Sequence, residues 1–271
     1  MNDRDGLADE RALARTYDGG AYEDGWAATL DYQAVMRYAS EHPNKGSHAI
    51  STALEIPRGR IRPWVDGDSK PDAVRGVETA RKHGWLEATY GDPEFAPLNT
   101  LVANVFSGGS IATETYMPSF ALDRAGEDSH VVDALEAVGL DYQLAHRDSD
   151  DRGTEARPTE DGTVLGRVLA VLGAPVGPKA EIDDLTLPWY LEDAPHETKE
   201  MFVLAYLANR ALHQREKRTV QIQEQRPKSY RDELAALIQD VAGERVTSGE
   251  RMVTISADAA RSLGIRPQFS D

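Results

Sequence analysis

Cysteine is absent from this sequence and lysine is scarce, with 7 lysines beside 23 arginines. Without cysteine, the chain forms no disulfide, no thiolate zinc site, no iron–sulfur cluster and no thiol nucleophile. The sequence has no apolar run close to the ~20 residues that a membrane helix needs, and residues 1–30 are acidic rather than a basic, apolar leader. These absences predict a cytoplasmic protein with no membrane segment.

Motifs of common active sites are absent as well. The seven histidines lack a metal-binding spacing such as HExxH, and no Walker loop, dinucleotide fingerprint or GxSxG elbow occurs. Gly108 and Gly109 form a lone pair, which is more typical of a helix end than of a phosphate-binding loop. The sequence therefore predicts no metal, no cofactor and no catalytic residue.

Negative charge is what the chain has in abundance. Its 271 residues include 46 acidic and 30 basic side chains, a net charge of −16, and 40% of the residues are hydrophobic. The apolar content is enough to form cores, and the length favours two or three compact units. An acid-rich, lysine-poor surface resists salting out, which is typical of halophilic proteins. Nucleic-acid-binding proteins are normally basic, so DNA binding would here depend on local charge.

Basic residues concentrate in two segments of this acidic chain. Residues 45–90 contain eight basic and six acidic side chains, and residues 209–231 contain seven basic and two acidic ones. On charge alone, both segments fit chance variation on a solvated surface. Both segments become candidates for DNA binding because each coincides with a sequence motif.

The first basic segment lies within a predicted series of short helices at 32–41, 48–55, 58–65 and 71–83. Ala53 is small where two helices would cross, and Ile56 would fill the turn between them. Ile61 and Trp64 would then pack the second helix onto the first. This run of residues resembles the helix-turn-helix of resolvases and of many bacterial and archaeal regulators.

The resemblance implies an all-α DNA-binding domain over 31–92, preceded by an acidic extension over 1–30. The second helix would turn three arginines outward near its amino-terminal end, where such helices meet base edges. Pro63 departs from the pattern and predicts a helix of only two turns, because proline removes a helix hydrogen bond. The alternative is a helical bundle whose arginines are merely solvated. The predicted DNA contacts of this domain are Lys45, Ser47, Arg58, Arg60, Arg62 and Lys70.

An internal repeat follows Pro97. The predicted order helix, strand, helix, strand, helix occurs twice, and each copy opens with a helix rich in small residues. The most specific string is LPWYLEDAPHETKEMFVLAYL, residues 187–207. From about 97 to 265 the chain resembles the LAGLIDADG homing-endonuclease fold. The composition of the chain resembles that of halophilic, archaeal proteins. An ordinary α+β domain with two coincidentally similar halves is the alternative.

This second resemblance implies an α+β fold, in which two αββαββα repeats at 97–180 and 185–266 form antiparallel, saddle-shaped sheets. Each strand step would be a hairpin, although only one strand of each hairpin is visible in the sequence. Ala103 and Ala205 would lie where the first helices of the two repeats cross closely. In active nucleases of this fold each helix ends with a metal-binding acid, whereas the matching positions here are Gly108 and Arg210. The resemblance therefore implies a domain without a metal site, and a protein that is not an enzyme.

Strand 217–225 is the predicted DNA-contacting strand of the second repeat. Alternation places Val220 and Ile222 on the helix-facing side and polar side chains on the concave side. The matching strand of the first repeat, 116–122, offers only Met117, Ser119 and Ala121, so DNA contact should favour the second repeat. The predicted contacts of this domain are Arg210, Arg215, Lys217, Arg218, Thr219, Gln221, Gln223 and Gln225.

Together these features predict a sequence-specific double-stranded-DNA-binding protein that acts as a transcription regulator. It would be monomeric, because the two repeats supply a pseudo-dimer. The resemblance extends to regulators of the sporulation-regulator type, which combine the same two modules, but in the reverse order. Two alternatives stay open: an active or residual metal-dependent homing endonuclease, and a platform for protein partners that touches DNA only through the helix-turn-helix.

Overall fold

A computed structural model describes residues 6–122, 126, 129–146, 153–213 and 218–265. The chain divides into two compact units, with the boundary between Glu87 and Ala88. The described residues form eleven α-helices and two four-stranded antiparallel sheets, so the fold is α+β. None of these helices has the length and apolar character that crossing a bilayer requires.

The first unit consists of helices. Asp24 accepts a hydrogen bond from Ala27 N at 2.8 Å and so begins the second helix at Gly25, seven residues before the predicted start. The predicted boundary at 30/31 therefore lies inside this helix, and the acidic segment before it contributes a helix that packs against the second and the fifth. The five helices are α1 (Glu10–Arg15), α2 (Gly25–Glu41), α3 (Ser47–Leu54), α4 (Arg58–Val65) and α5 (Asp72–Lys82).

Helices α3 and α4 share one core with α2. The core is formed by Val35, Ile50, Ile61 and Trp64, and Ile56 packs against it from the turn. Glu55 adopts a left-handed conformation with φ 56°, which reverses the chain between α3 and α4. Ala53 is exposed, so its predicted place at the helix crossing is wrong and Ile50 fills that role.

The second unit repeats one order of elements. The first copy is α6 (Phe95–Ser107), β1 (Ser110–Ile111), β2 (Pro118–Ala121), α7 (His130–Ala137), β3 (Tyr142–Ala145), β4 (Glu155–Pro158) and α8 (Gly162–Val171). The second copy is α9 (His196–Arg210), β5 (Ala211–His213), β6 (Val220–Gln223), α10 (Lys228–Ala242), β7 (Val246–Ser248), β8 (Met252–Ile255) and α11 (Ala257–Ser262). The strand orders β1-β2-β4-β3 and β5-β6-β8-β7 are equivalent, because in each sheet the two hairpins meet through their second strands.

Helices α6 and α9 form the centre of this unit. Every residue of α6 from Leu98 to Ser107 is buried, including Ala103, and Ala205 of α9 is buried as well. Asn99 Nδ2 donates to the carbonyl of Thr198 at 2.9 Å and joins the two helices. The first helices of the two copies thus pack against each other, with one sheet following each helix in the chain.

Candidate nucleic-acid interface

Helix α4 turns two of its arginines toward solvent. Ile61 and Trp64 occupy the buried face of the helix, whereas Arg58 and Arg62 are exposed. Arg62 is 69% exposed and is 3.8 Å from Asp66, one turn further along. Arg58 Nε lies 3.4 Å from Ser47 Oγ, near the amino terminus of α3. Both guanidinium groups are thus accessible to an anionic partner.

Arg60 has a different environment from the other two arginines. Its guanidinium carbon lies 4.4 Å from the ring centre of Tyr22, and the side chain is half-buried. Burial, followed by the negative charge of Asp31, raises the pKa of Tyr22 to about 12, against the opposing effect of Arg60. Arg60 therefore packs within the unit and does not point freely outward as predicted.

The remaining predicted contacts of the first unit differ in accessibility. Ser47 is 2% exposed and donates to Asp66 Oδ2 at 2.8 Å, so it is a structural residue and not the predicted DNA contact. Lys45 is exposed, with its Nζ 2.7 Å from the Tyr38 hydroxyl. Lys70 Nζ donates to both oxygens of Glu78 at 2.8 Å, and this hydrogen bond raises the pKa of Lys70.

Strand β6 has the predicted alternation. Val220 and Ile222 are buried, whereas Gln221 is half-buried and Gln223 is exposed. Beyond the strand, Arg218 and Gln225 are exposed and Thr219 is half-buried. The predicted contacts Arg215 and Lys217 lie outside the described residues.

Uncharged side chains of the neighbouring strands share the face of Gln221. Gln221 is opposite Thr254 of β8 and Leu212 of β5, and Thr254 is opposite Thr247 of β7. Residues directly opposite each other in an antiparallel sheet share a face. The second sheet therefore presents an uncharged row across all four strands. Leu212 and Thr247 were not predicted, since β5 and β7 are too short to reveal alternation, and Thr254 of β8 was not predicted either.

The outer face of the first sheet carries charge, although strand 116–122 itself has none. Arg157 of β4 donates to Glu155 at 2.8 Å and to Ser119 Oγ at 3.0 Å, and His146 Nε2 lies 3.9 Å from Glu155. Burial alone would raise the pKa of Glu155, but hydrogen bonds from Ser119 and Arg157 lower it below its ordinary value. The guanidinium of Arg157 is thus already paired with a carboxylate, and the two sheets present different chemistry.

The carboxyl-terminal end of α6 is held by cations. Lys179 Nζ donates to the carbonyl of Val105 at 2.6 Å and to that of Gly109, and Arg226 donates to the carbonyl of Phe106. A Cβ atom on Gly108 would lie 2.8 Å from Cβ of Ala121, so a larger side chain there requires a shift. No sequence pattern predicts that Lys179 or Arg226 binds the end of α6.

Glu224 links these cations to the end of α9. It is 1% exposed, accepts from the Tyr206 hydroxyl at 2.8 Å, and contacts Arg226 at 3.4 Å. Arg210, the last residue of α9, lies 3.5 Å from the same carboxylate and is 36% exposed. Arg210 therefore helps to balance a buried charge, and its predicted contact with a phosphate stays a prediction. Within the described residues, no group of three or more histidine or acidic side chains could hold a metal ion.

Comparisons with known proteins assign no family to this α+β chain. No family model matches it, and no curated protein matches it. One similar solved structure is full-length DUF199/WhiA from Thermatoga maritima, with 10% sequence identity and a TM-score of 0.43. The aligned part covers 69% of this chain and 60% of that chain, so this chain spans less than two thirds of that protein. At these values the likeness has no bearing on function.

Proposed function

We propose that this protein binds double-stranded DNA in a sequence-specific manner and acts as a transcription regulator. The observation that carries the proposal is the packing of α3 and α4 across a short turn, with arginines exposed on α4. The second helix of this tight pair buries Ile61 and Trp64 and exposes Arg58 and Arg62. Such a helix fits the major groove, where arginine makes bidentate hydrogen bonds to guanine. We infer that α3 and α4 form a helix-turn-helix.

The second unit supports a further part of the proposal. Its twice-repeated order of helices and hairpins around α6 and α9 is the order expected of a LAGLIDADG-like double repeat. Lys179 and Arg226 at the end of α6, and Arg210 at the end of α9, would repel the divalent metals that a nuclease needs. We therefore propose a DNA-binding domain without nuclease activity, whose second sheet reads bases through Gln221 and Gln223.

Selection from random duplexes tests the proposal. Purified full-length protein should enrich one sequence from a pool of double-stranded oligonucleotides, and the enriched duplex should give a defined DNase footprint. A pool that stays random after repeated rounds would contradict sequence-specific binding. The footprint also separates the contributions of the units, because a helix-turn-helix alone protects far less duplex than both units together.

A groove on α9 favours the alternative in which the double repeat binds a protein. Met201 and Leu204 are 38% and 39% exposed, and they line a cavity of about 490 Å³ together with Thr100, Glu197 and Glu200. Exposed apolar side chains of this kind are common in protein–protein contacts. A footprint no longer than one helix-turn-helix would favour this alternative.

A further inference from the structure

Three cations and one carboxylate meet inside the second unit, at the end of α6. Lys179 and Arg226 bind successive carbonyl groups of that helix, and Arg226 and Arg210 lie within 3.5 Å of the same Glu224 side chain. These shared partners keep the four side chains close together. We call this group the cation cluster.

Among the described residues, the positive charge of the cation cluster exceeds the negative charge beside it. Glu224 supplies one negative charge, and the carboxyl-terminal ends of α6 and α9 each contribute about half of one. Together these neutralise about two of the three cations. Arg226 is enclosed and Lys179 and Arg210 are only partly exposed, so solvent screens this excess charge incompletely, and one further negative charge or the loss of a proton would stabilise the cluster.

Hydrogen bonding leads to the same requirement. Arg226 Nη1 and Arg210 Nε are buried atoms with no acceptor in the described part of the chain. The side chain of Arg226 is 7% exposed. Guanidinium groups do not lose their protons in proteins, and buried donors are normally paired. Both arginines therefore present unpaired donors beside an excess of positive charge.

We propose that the cation cluster binds one small inorganic anion of the chloride class between Arg210, Arg226 and Lys179. Such an ion accepts hydrogen bonds from guanidinium and ammonium groups and adds the single negative charge that the cluster lacks. A water molecule would accept hydrogen bonds from the unpaired donors but would not neutralise the excess positive charge. A phosphate of DNA cannot reach Arg226, because that side chain is enclosed. The site is independent of the proposed DNA binding.

Proton loss from Lys179 is the competing way to remove the excess charge. Burial, followed by the nearby charges of Arg226 and Arg210, lowers the pKa of Lys179 to about 7, while Glu224 opposes this change. A bound anion stabilises the ammonium form. Anion and proton should therefore bind together, and the anion should raise the pKa of Lys179.

Thermal unfolding of the full-length protein tests the anion site. Samples in sodium chloride, sodium bromide and sodium gluconate are compared at equal sodium concentration. The Tm should rise in a saturable way with chloride and bromide but not with gluconate. Lys179→Met should abolish the difference, because it removes the excess charge, whereas the exposed Arg218→Gln should keep it. Identical curves for the wild-type protein in chloride and gluconate would overturn the proposal.

A second measurement needs no variant. Crystals of the wild-type protein grown in bromide should show anomalous scattering within hydrogen-bonding distance of Arg226 Nη1 and Arg210 Nε. Bromide bound only at exposed arginines, which indicates an adventitious ion only, would contradict the site even if salt alters the Tm.

Discussion

At the scale of single residues, the three arginines of α4 differ in what they can offer a ligand. Arg62 is exposed, and among the described residues the only carboxylate close to it is that of Asp66, at 3.8 Å. Ion pairs of this kind on the surface contribute little to stability. Arg58 is exposed beside Ser47. Arg60 is engaged with the Tyr22 ring. We therefore propose base or phosphate contact for Arg58 and Arg62, whereas Arg60 mainly packs within the unit.

Substitution of these two arginines should weaken binding to the selected duplex. Since a good base contact contributes roughly 1–3 kcal/mol, Arg58→Ala and Arg62→Ala should each lower affinity by about 5- to 150-fold, and at least one should relax base preference. Fluorescence anisotropy with labelled duplex measures the affinity. Arg75→Ala is the matched control, because Arg75 is an exposed arginine of the same unit that pairs with Asp72 on α5. Full affinity and an unchanged preferred site in both variants would show that α4 is not the reading helix.

Lys179 should make stability depend on pH. Its folded-state pKa of about 7 lies below the ordinary 10.5, so the unfolded chain binds more protons between these values. The penalty of the buried charge is fully present below pH 7 and disappears as pH rises toward 10. In gluconate, the free energy of unfolding of the wild type relative to Lys179→Met should therefore increase across pH 7–10, by up to about 1.4 kcal/mol per pH unit. Urea unfolding at several pH values measures this slope. If the difference in unfolding free energy between the wild type and Lys179→Met did not change with pH, the lowered pKa of Lys179 would be refuted.

At the scale of helices and strands, β6 and α2 show what sequence patterns can predict. The alternation of Val220 and Ile222 was sufficient to place β6, because a two-residue period requires only a few residues. The predicted start of α2 is too late, because the prediction depended on the spacing of Val35, Met36 and Ala39, whereas the helix is capped by Asp24. Strands β1, β5 and β7 have only two or three residues, which is too short for any periodicity.

The two sheets should contribute unequally to DNA binding. Gln221→Ala with Gln223→Ala removes from the uncharged face of the second sheet the two side chains that we propose read bases. The comparison variant of the first sheet, Ser110→Ala with Gln143→Ala, removes two polar side chains from its edge strands β1 and β3. At high salt phosphate contacts weaken, so the glutamine variant should lose more affinity than its match. Binding curves at several salt concentrations measure the loss. Equal losses, or no loss in either variant, would favour the protein-partner alternative.

At the scale of the whole molecule, long-range contacts decide what the second unit can do. Lys179 and Val105 are 74 residues apart, and Arg226 and Phe106 are 120 apart. No local pattern predicts that these cations meet at the end of α6. The LAGLIDADG resemblance implies that Gly108 and Arg210 occupy positions where active nucleases have acids, but the sequence could not show that Lys179 and Arg226 lie at the same helix end. Likewise, the ion pair between Arg157 and Glu155 could not be predicted, because only one strand of the β3–β4 hairpin is visible in the sequence.

The protein should not cleave DNA. With Mg²⁺ or Mn²⁺, incubation with supercoiled plasmid carrying the selected site should leave the plasmid intact, because in the proposed LAGLIDADG-like arrangement cations lie where two-metal cleavage requires carboxylates. Gel electrophoresis of the plasmid detects single nicks. Metal-dependent nicking that disappears on substitution of an acidic residue of this chain would restore the endonuclease alternative.

Genome-wide immunoprecipitation of the tagged protein from its own cells tests the central proposal most directly. A sequence-specific regulator should occupy a limited set of sites upstream of genes, and these sites should share the sequence selected in vitro. The variant with both Arg58→Ala and Arg62→Ala, expressed at the same level, should lose this occupancy, while Arg75→Ala should keep it. Scattered occupancy without a shared sequence, equal for the wild type and both variants, would contradict the account.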